Sequence, residues 1–435
     1  MTSLLRIGLQ SSKSMHSNSG TNLSSGSAAF AAKHTKKAVT VAVVGAVIAL
    51  GSALASQTAD AGFAKQFGPS YLQAFMFFMS LCLGGLFLTI VHHLFDASWS
   101  VPLRRINENL ACLAPTMFVL FIPILVLAKT IYPWMVIDPP ESDHALQSKY
   151  PLFTMGGWYG VSIGVFVILS FLAFQLRRHS VAQDADGAAK HTYKLRFYAA
   201  WGMFAFALCT TTAAIMWMKG LEHQFFSTMY GVYYFAGSVW TTLATVYVLS
   251  FVLKRDGVLG QVIRQEQFKD TATLFFAFTV FYAYIHFSQY FIIWNGAIPE
   301  ETFYYVKREI GAWWGVSMLI VFGHFLIPFL SLLRIDAKLS LPVILPVCAW
   351  AWLMHFCDMS WNVMPIFRPD GFRLTVTDIG CWLFIGGVAG TAWLKGFAAN
   401  APYPLKDPRL AEALGVHFHD HAAEDHGHAA AKGAK

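Results

Sequence analysis

The chain contains 435 residues, of which 56% are hydrophobic, 16% aromatic and only 13% charged. An average soluble domain carries about a quarter charged residues, so this composition cannot supply the polar surface of a water-soluble globular protein of this size. The formal net charge of +7 would fit a nucleic-acid partner, but the position of the basic residues argues against one. The composition predicts an all-α polytopic membrane protein.

Ten apolar stretches are each long enough to cross about 30 Å of hydrocarbon. These predicted spans cover residues 38–57, 70–95, 108–132, 152–176, 196–217, 225–253, 270–295, 307–333, 339–360 and 374–396. An even number of spans places both termini on one side, and loops on that side contain about three times as many Lys and Arg residues as loops on the other. We therefore expect both termini in the cytoplasm, and we attribute the positive charge to orientation and anionic lipids, not to nucleic acid.

An internal repeat relates the two halves of the chain. The predicted fourth span begins with GGWYGVS at 156–162 and the eighth with GAWWGVS at 311–317, and the second and sixth spans share a fainter similarity from Ser70 and Ser227. Each repeat contains four spans, so both copies have the same orientation. The predicted fold is therefore two parallel-repeat four-helix bundles with the first and last spans at the periphery, an arrangement that also occurs in transporters.

The repeat sets the predicted organisation of the chain. The predicted segments are a disordered cytoplasmic N-tail at 1–37, the first span and an outer loop at 38–69, the first four-helix bundle at 70–223, the second four-helix bundle at 224–372, the last span at 373–396 and a His-rich cytoplasmic tail at 397–435. Within that tail, HFHDHAAEDHGH at 417–428 has the composition of a metal-binding tract. A solvated cytoplasmic extension is the alternative that we expect.

The six cysteines all lie in apolar stretches, and none of them forms a CxxC, CxxCH or four-cysteine pattern. Covalent haem c attachment and iron–sulfur ligation by this chain are therefore not expected. Buried free cysteines behave as small hydrophobic residues, and this is the role that we predict for them. No metal site is predicted within the spans.

Ionisable side chains inside the spans are the candidates for function, because each costs about 2.5–3.5 kcal/mol to insert at the membrane centre. On the seventh span, Tyr282, His286 and Gln289 share one helical face at i, i+4 and i+7. The ninth span places His355 and Asp358 at a similar depth. The remaining candidates are two residues near the outer boundary and one in the inward half of the eighth span, namely Lys129, Glu309 and His324.

Three interpretations of these residues remain open. One is that His286 and Gln289 bridge neighbouring helices structurally. A second is that His286 and His355 are the two axial ligands of a haem b. The third is a proton relay or a quinone headgroup site, which needs a group that titrates near neutral pH, a carboxylate that passes protons on, and hydrogen-bond partners for carbonyl oxygens. The side chains predicted in the outer half of the membrane, Lys129, His286, Gln289, His355 and Asp358, contain all three, with Asp358 as the carboxylate.

An acidic turn separates the seventh and eighth spans at 297–302. Pro299, Glu300 and Glu301 come just before a predicted helix, so they place negative charge at its N-terminus, where the helix dipole stabilises it. Lys307 and Arg308 follow, and we predict that they pair with these two acids at the surface. Surface pairs of this kind usually contribute little to stability.

The segment FSQYFIIWNGAIPEETFYYVKR, from Phe287 to Arg308, resembles a signature of the ActF subunits of alternative complex III, the bacterial quinol:cytochrome c oxidoreductase, which are similar to NrfD/PsrC membrane proteins. The ten spans and the repeat fit that family across residues 38–396. The resemblance implies an integral subunit of the bacterial inner membrane that carries no covalently bound redox cofactor. The implied partners are a related quinol-oxidising membrane subunit, extracytoplasmic iron–sulfur and haem c subunits, and membrane lipids.

The resemblance also implies a role in a respiratory electron-transport chain, through quinone or quinol binding, proton translocation or both. In that role His286, His355 and Asp358 would be an outer relay, His324 an inner step and Gln289 an orienting amide. A secondary transporter or channel is the alternative from another functional class, and the parallel repeat supports it. The sequence shows no Gly/Pro-broken pair of spans at matching positions, which argues against a transporter.

Overall fold

The computed structural model describes residues 4–55 (the backbone alone for 4–24), 62–137, 143–260 and 262–415. Within these ranges every regular element is a helix. Ten helices are long and apolar enough to cross a membrane, which confirms the all-α polytopic class. The spans, numbered 1–10 in chain order, are Ser25–Ala55, Phe63–Leu94, Val101–Val126, Met155–Asp186, Ala189–Glu222, Tyr230–Arg255, Gln265–Gly296, Ala312–Leu332, Leu341–Ile366 and Val376–Ala398.

Consecutive spans run in alternating directions. Span 1 therefore begins, and span 10 ends, on the same face of the molecule, which we call the terminal face; the other is the opposite face. Spans 5 and 8 contain the π-helical stretches Ala214–Met218 and Ile320–Leu326. The short helices outside the spans are Ala128–Ile131, Pro133–Val136, His144–Gln147, Pro299–Glu309, Ile335–Leu339 and Leu410–Ala413.

The spans form two groups of four helices. In the first group, span 3 packs on spans 2 and 4, and span 5 closes the group by packing on spans 4 and 2. In the second group, span 7 packs on spans 6 and 8, and span 9 closes it by packing on spans 8 and 6. Span 2 also packs on spans 6, 9 and 10 and is therefore the central helix. Its Gly84 lies so close to Thr242 of span 6 that an added Cβ would be 2.6 Å from the threonine Cβ.

The two groups repeat the same hydrogen bond at corresponding positions. Trp217 at the end of span 5 donates through Nε1 to Ser162 Oγ of span 4, at 2.9 Å. Trp361 near the end of span 9 donates to Ser317 Oγ of span 8, at 2.8 Å. The two serines close the GGWYGVS and GAWWGVS sequences, so the repeat in the sequence corresponds to a repeated contact between neighbouring helices.

Spans 1 and 10 pack against each other along their length, and span 10 rests on span 2. Glycines allow the two backbones to approach closely, as small residues do in membrane helix pairs. A Cβ added to Gly387 of span 10 would lie 2.6 Å from Ala42 Cα, and one added to Gly380 would lie 2.8 Å from Ala49 Cα. Span 1 is therefore fixed to the protein through span 10.

Within the predicted disordered N-tail at 1–37, the described residues belong to one helix that runs from Leu4 to Ala55. Residues 27–33 of this helix contact distant parts of the chain, although their low hydrophobicity does not predict such contacts. Ser27 Oγ donates to the Asn400 carbonyl at 3.1 Å, and Lys33 Nζ lies 2.8 Å from Asp256 Oδ2. Contacts with the ends of spans 10 and 6 therefore order at least residues 27–33. Of the predicted His-rich tail, residues 397–415 are described, whereas the tract at 417–428 lies outside the described residues.

The eighth span begins later than predicted. Pro299–Glu309 is a separate helix on the opposite face, called here the outer helix, and Gly311 with φ +58° separates it from span 8. The predicted pairing of the two basic residues with Glu300 and Glu301 is also wrong. Lys307 Nζ lies 3.0 Å from Glu222 Oε1, and Arg308 Nη1 lies 2.9 Å from Glu222 Oε2. The outer helix is thus tied to the end of span 5.

A buried ionic network holds the segment after span 10 to the terminal face. The carboxylate of Asp407, which is 5% exposed, accepts hydrogen bonds from the guanidinium groups of Arg104 and Arg409. Arg104 also lies 3.0 Å from Glu108 Oε1. Burial alone would raise the pKa of Asp407, but the two arginines outweigh it and lower that pKa to about 2.

Replacing Gly387 by Val should weaken the packing of span 1 on span 10, because the new side chain would overlap the backbone near Ala42. We expect a loss of about 1–3 kcal/mol in the free energy of unfolding, measured by thermal unfolding in detergent. Gly160→Val in span 4 is the matched control, since a Cβ there meets nothing within 4 Å. Equal losses in both variants would contradict the close approach.

Replacing Asp407 by Asn should release the C-terminal segment, because Arg104 would lose a charged partner. Trypsin should then cut at Lys406 and Arg409 more than about tenfold faster than in the parent protein. The pKa of Asp407, at about 2, lies below its unfolded value of about 3.9. Its stabilisation of about 2 kcal/mol should hold above pH 4 and disappear as the pH falls towards 2. Unchanged cutting of the variant would refute this role.

Candidate functional site

The centre of the second group contains a buried carboxylate, Asp358 of span 9, which is 1% exposed. Its Oδ1 accepts hydrogen bonds from the hydroxyl of Tyr282 on span 7, at 2.9 Å, and from the hydroxyl of Tyr233 on span 6. Asn362 Nδ2 lies 3.3 Å from the same oxygen. We call these four residues the Asp358 cluster. A buried charge needs such donors to offset the loss of water.

The spacing of Asp358 and Asn362 places both on one face of span 9, since residues four apart lie one helical turn apart. Asn362 Nδ2 donates to the Asp358 carbonyl at 2.8 Å. Its side-chain oxygen accepts from Tyr230 at 2.7 Å and from Tyr304 of the outer helix at 3.2 Å. The amide thus continues the hydrogen-bonded chain from the Asp358 cluster towards the opposite face.

Arg308 supports this outer end of the chain. Its guanidinium is fully buried beside the ring of Tyr304, at 3.4 Å from the ring centre, and donates to the carbonyls of Trp361 and Asn362. Burial alone would lower the pKa of Arg308, but Tyr304 and Glu222 raise it above its ordinary value. Burial also raises the pKa of Tyr304, to about 12. At neutral pH the arginine is charged and this tyrosine is neutral.

His355 lies one turn before Asp358 on the same face of span 9. Its Nε2 is 2.9 Å from Ser80 Oγ of the central span 2, and its Nδ1 is 3.9 Å from Asp358 Oδ2. The ring is fully buried, and Nδ1 has no hydrogen-bond partner within the described residues. An unpartnered buried polar atom is uncommon, and this nitrogen lies next to the carboxylate of Asp358.

His324, the predicted inner step, packs against Tyr282 of the Asp358 cluster. Its ring is stacked between Trp240, at 3.8 Å between ring centres, and Tyr282, at 3.6 Å. Both ring nitrogens are buried without a hydrogen-bond partner among the described residues. His324 lies in the π-helical stretch of span 8, a distortion that often marks functional sites.

A groove with a volume of about 720 Å³ separates spans 7 and 8. Its walls are mainly apolar, and residues at its mouth, such as Tyr284, Phe287 and Trp314, are more than half exposed. In a membrane this mouth would face the lipid. The groove is therefore accessible to a hydrophobic molecule that enters from the bilayer.

The inner wall of the groove is formed by His286, Tyr282 and Trp361. The His286 ring lies 5.3 Å from the ring centre of Tyr233 and 5.8 Å from that of Tyr282. No described residue forms a hydrogen bond with its imidazole, which leaves both nitrogens available to a ligand in the groove. His286 thus lies between the groove and the Asp358 cluster.

The other predicted site residues lie at the rim or elsewhere. Gln289 accepts a hydrogen bond from Ser227 at 3.0 Å and donates to Tyr305 at 3.1 Å, so it links span 7 to the segment before span 6 and to the outer helix. Glu309 lines the outer end of the groove and is exposed. Lys129 is exposed on the short helix after span 3, in the first group. The structure therefore does not bring Lys129 to the predicted site.

The haem b interpretation requires His286 and His355 to face each other across an open space. The rings of Tyr233 and Tyr282 pack against His286, and their hydroxyls bond to Asp358, which lies beside His355. These side chains occupy the space between the two imidazoles. The described geometry therefore does not fit a haem ligated by this pair.

The sequence did not identify two members of the Asp358 cluster, Tyr233 and Asn362. The spacing of four residues between Asp358 and Asn362 was a usable signal, because it places an amide one turn from a buried acid. Tyr233 carried no comparable signal, since it is one of 16 tyrosines and lies within the aromatic run YGVYYF. Only the packing of span 6 against spans 7 and 9 shows its role.

The first group has no matching polar cluster at the corresponding positions. Asp358 lies three residues before Trp361, whereas Ala214 lies three residues before Trp217. Counting from the two repeated sequences, Leu169 corresponds to His324. Both Ala214 and Leu169 are fully buried, and rings of Phe121 and Phe166 pack around Trp217. The two groups thus share a frame but differ in their interiors.

Replacing Tyr233 by Phe should destabilise the protein, because Asp358 loses a donor while it stays buried. We expect a loss of about 1–3 kcal/mol in the free energy of unfolding, measured by thermal unfolding in detergent. Tyr284→Phe is the control, since Tyr284 lies on the same helix as Tyr282 and is 65% exposed. A cluster that does not stabilise the fold would give equal values for the two variants.

Comparison with protein-family models finds no match for this chain, and comparison with curated protein sequences finds none either. The interpretation of the site therefore rests on its own geometry. That geometry consists of a buried carboxylate with three donors, one imidazole beside it, a second imidazole stacked on one of its donors, and a third imidazole between it and a groove that faces lipid.

Proposed function

We propose that the chain is an integral membrane subunit of a respiratory quinol:electron-acceptor oxidoreductase complex. In this proposal the groove between spans 7 and 8 binds the headgroup of a quinone or quinol, and the Asp358 cluster exchanges protons with it. The observation that carries the proposal is the position of His286, which lines the groove on one side and contacts the tyrosines that hold Asp358 on the other.

The groove suits an amphipathic, flat molecule with a long apolar tail. Its lining is mostly apolar, and Tyr284, Phe287 and Trp314 give its mouth aromatic and exposed walls. Polar groups are few and lie towards the inner and outer ends, where His286 and Ser317 line it. Ligand sites commonly combine an apolar lining with a small number of polar groups that orient the ligand.

The cluster suits proton transfer from such a ligand. Oxidation of a quinol to a quinone releases two protons and two electrons. A free nitrogen of His286 can take a proton from a quinol hydroxyl in the groove, because a neutral imidazole keeps one unprotonated nitrogen as an acceptor. The hydroxyls of Tyr282 and Tyr233 then connect this region to the Asp358 carboxylate, and Asn362 continues the chain to Tyr304.

The electrons would leave to a partner subunit that carries redox centres. The resemblance of Phe287–Arg308 to the membrane subunits of alternative complex III supports iron–sulfur and haem c partners at the opposite face, a bacterial inner-membrane location and cytoplasmic termini. The segment that carries the resemblance forms the end of span 7 and the outer helix, and both elements line the groove. The resemblance and the site therefore coincide in space.

Replacing Asp358 by Asn in the assembled complex should slow quinol oxidation roughly 100-fold, the usual loss when a positioned proton-transfer group is removed. His286→Ala should lower the rate similarly and also weaken the binding of a quinone analogue. Lys129→Gln is the control, because Lys129 is exposed in the first group.

The rates are measured with a soluble quinol, and proton release is followed in liposomes with a pH-sensitive dye. Normal oxidation with lost proton translocation in both variants would assign proton transfer alone to this subunit. Normal values of both quantities in Asp358→Asn would refute the proposal. Purification of the chain without any redox partner, together with substrate uptake into liposomes, would favour the transporter alternative instead.

A further inference from the structure

We infer that a second groove, on the terminal half of the molecule, holds one acyl chain of an anionic phospholipid. This groove has a volume of about 650 Å³ and lies where the second four-helix group meets spans 3 and 10, with span 2 as its floor. It shares no lining residue with the groove between spans 7 and 8. The inference is therefore independent of the proposed function.

The lining of this groove fits hydrocarbon. Its walls consist of apolar side chains, together with Gly386, Ala389 and Gly390 of span 10, whose small size opens the groove on that side. The single hydroxyl in the lining is that of Thr245, and it already accepts a hydrogen bond from Trp352 Nε1 at 2.9 Å. No polar side chain in this lining is left to orient a polar ligand.

The length of the groove distinguishes a lipid from a helix of another subunit. The lining residues of the three wall helices fall at 245–252, 345–352 and 386–393, and each stretch covers about 10 Å at 1.5 Å per residue. All three stretches lie near the terminal face, at the end of span 6, the start of span 9 and the end of span 10. One leaflet is about 15 Å deep, whereas a spanning helix needs about 30 Å. The groove therefore matches an acyl chain of one leaflet.

A basic residue at the rim indicates the charge of the headgroup. Arg255 follows Val252 on span 6 by three residues and therefore continues the face of that span that lines the groove. Arg255 is exposed and forms no ion pair within the described part of the chain. The neighbouring acid, Asp256, is paired with Lys33. Basic sites of this kind between membrane helices bind anionic lipid headgroups.

The test is native mass spectrometry of the full-length chain in detergent, titrated with phosphatidylglycerol or with phosphatidylcholine of the same acyl chains. We expect one phosphatidylglycerol to bind per chain, more tightly than phosphatidylcholine. Ala349→Phe, which fills the groove from its exposed side, should weaken both lipids at least about tenfold. Arg255→Gln should weaken phosphatidylglycerol about fivefold, as expected for one charge at the surface, and leave phosphatidylcholine unchanged.

Ala200→Phe on span 5 is the matched control, because Ala200 is also an exposed alanine of a span and lines neither groove. It should bind both lipids as the parent protein does. Thermal unfolding without added lipid checks that all variants are folded. Parent-like binding by Ala349→Phe would overturn the site, and equal binding of the two lipids by the parent protein would overturn the charged headgroup. A protein helix in the groove of the assembled complex would also overturn the inference.

Discussion

A carboxylate inside a membrane protein is stable only when donors replace the water that it has lost, and Asp358 obtains these donors from three directions. Tyr233 contributes from span 6, Tyr282 from span 7, and Asn362 from the next turn of span 9. The ring of Tyr282 in turn stacks on His324 of span 8. One buried acid thus fixes the relative positions of all four helices of the second group, and it also places titratable groups beside the groove that faces lipid.

The two four-helix groups share a frame but differ in their interiors, and this difference bears on the role of Asp358. Both groups use a tryptophan that donates to a serine in the neighbouring helix, so the frame does not require a polar centre. The first group fills the corresponding positions with Ala214 and Leu169. The second group thus carries a costly acid and an imidazole, Asp358 and His324, at two positions where the first group is apolar, and this asymmetry indicates a function for them.

The sequence predicted the ten spans and the repeat because long apolar runs and duplicated motifs are local features. It also selected His286, His355, Asp358 and Tyr282 correctly as neighbours, since residue depth follows from position along a helix. It could not predict the partners of Asp358, because hydrogen bonding by Tyr233 depends on how helices rotate against each other. The helical turns before residue 38 were missed for a related reason: Ser27 and Lys33 contact distant parts of the chain.

The most direct test of the account is infrared difference spectroscopy on the assembled complex, recorded before and after addition of quinol. If the Asp358 cluster exchanges protons with a ligand in the groove, a carboxyl band should change on quinol addition. That band should be absent from Asp358→Asn and altered by His286→Ala. An identical difference spectrum for the parent protein and Asp358→Asn would contradict the account, because it would show that this carboxyl group does not respond to the ligand.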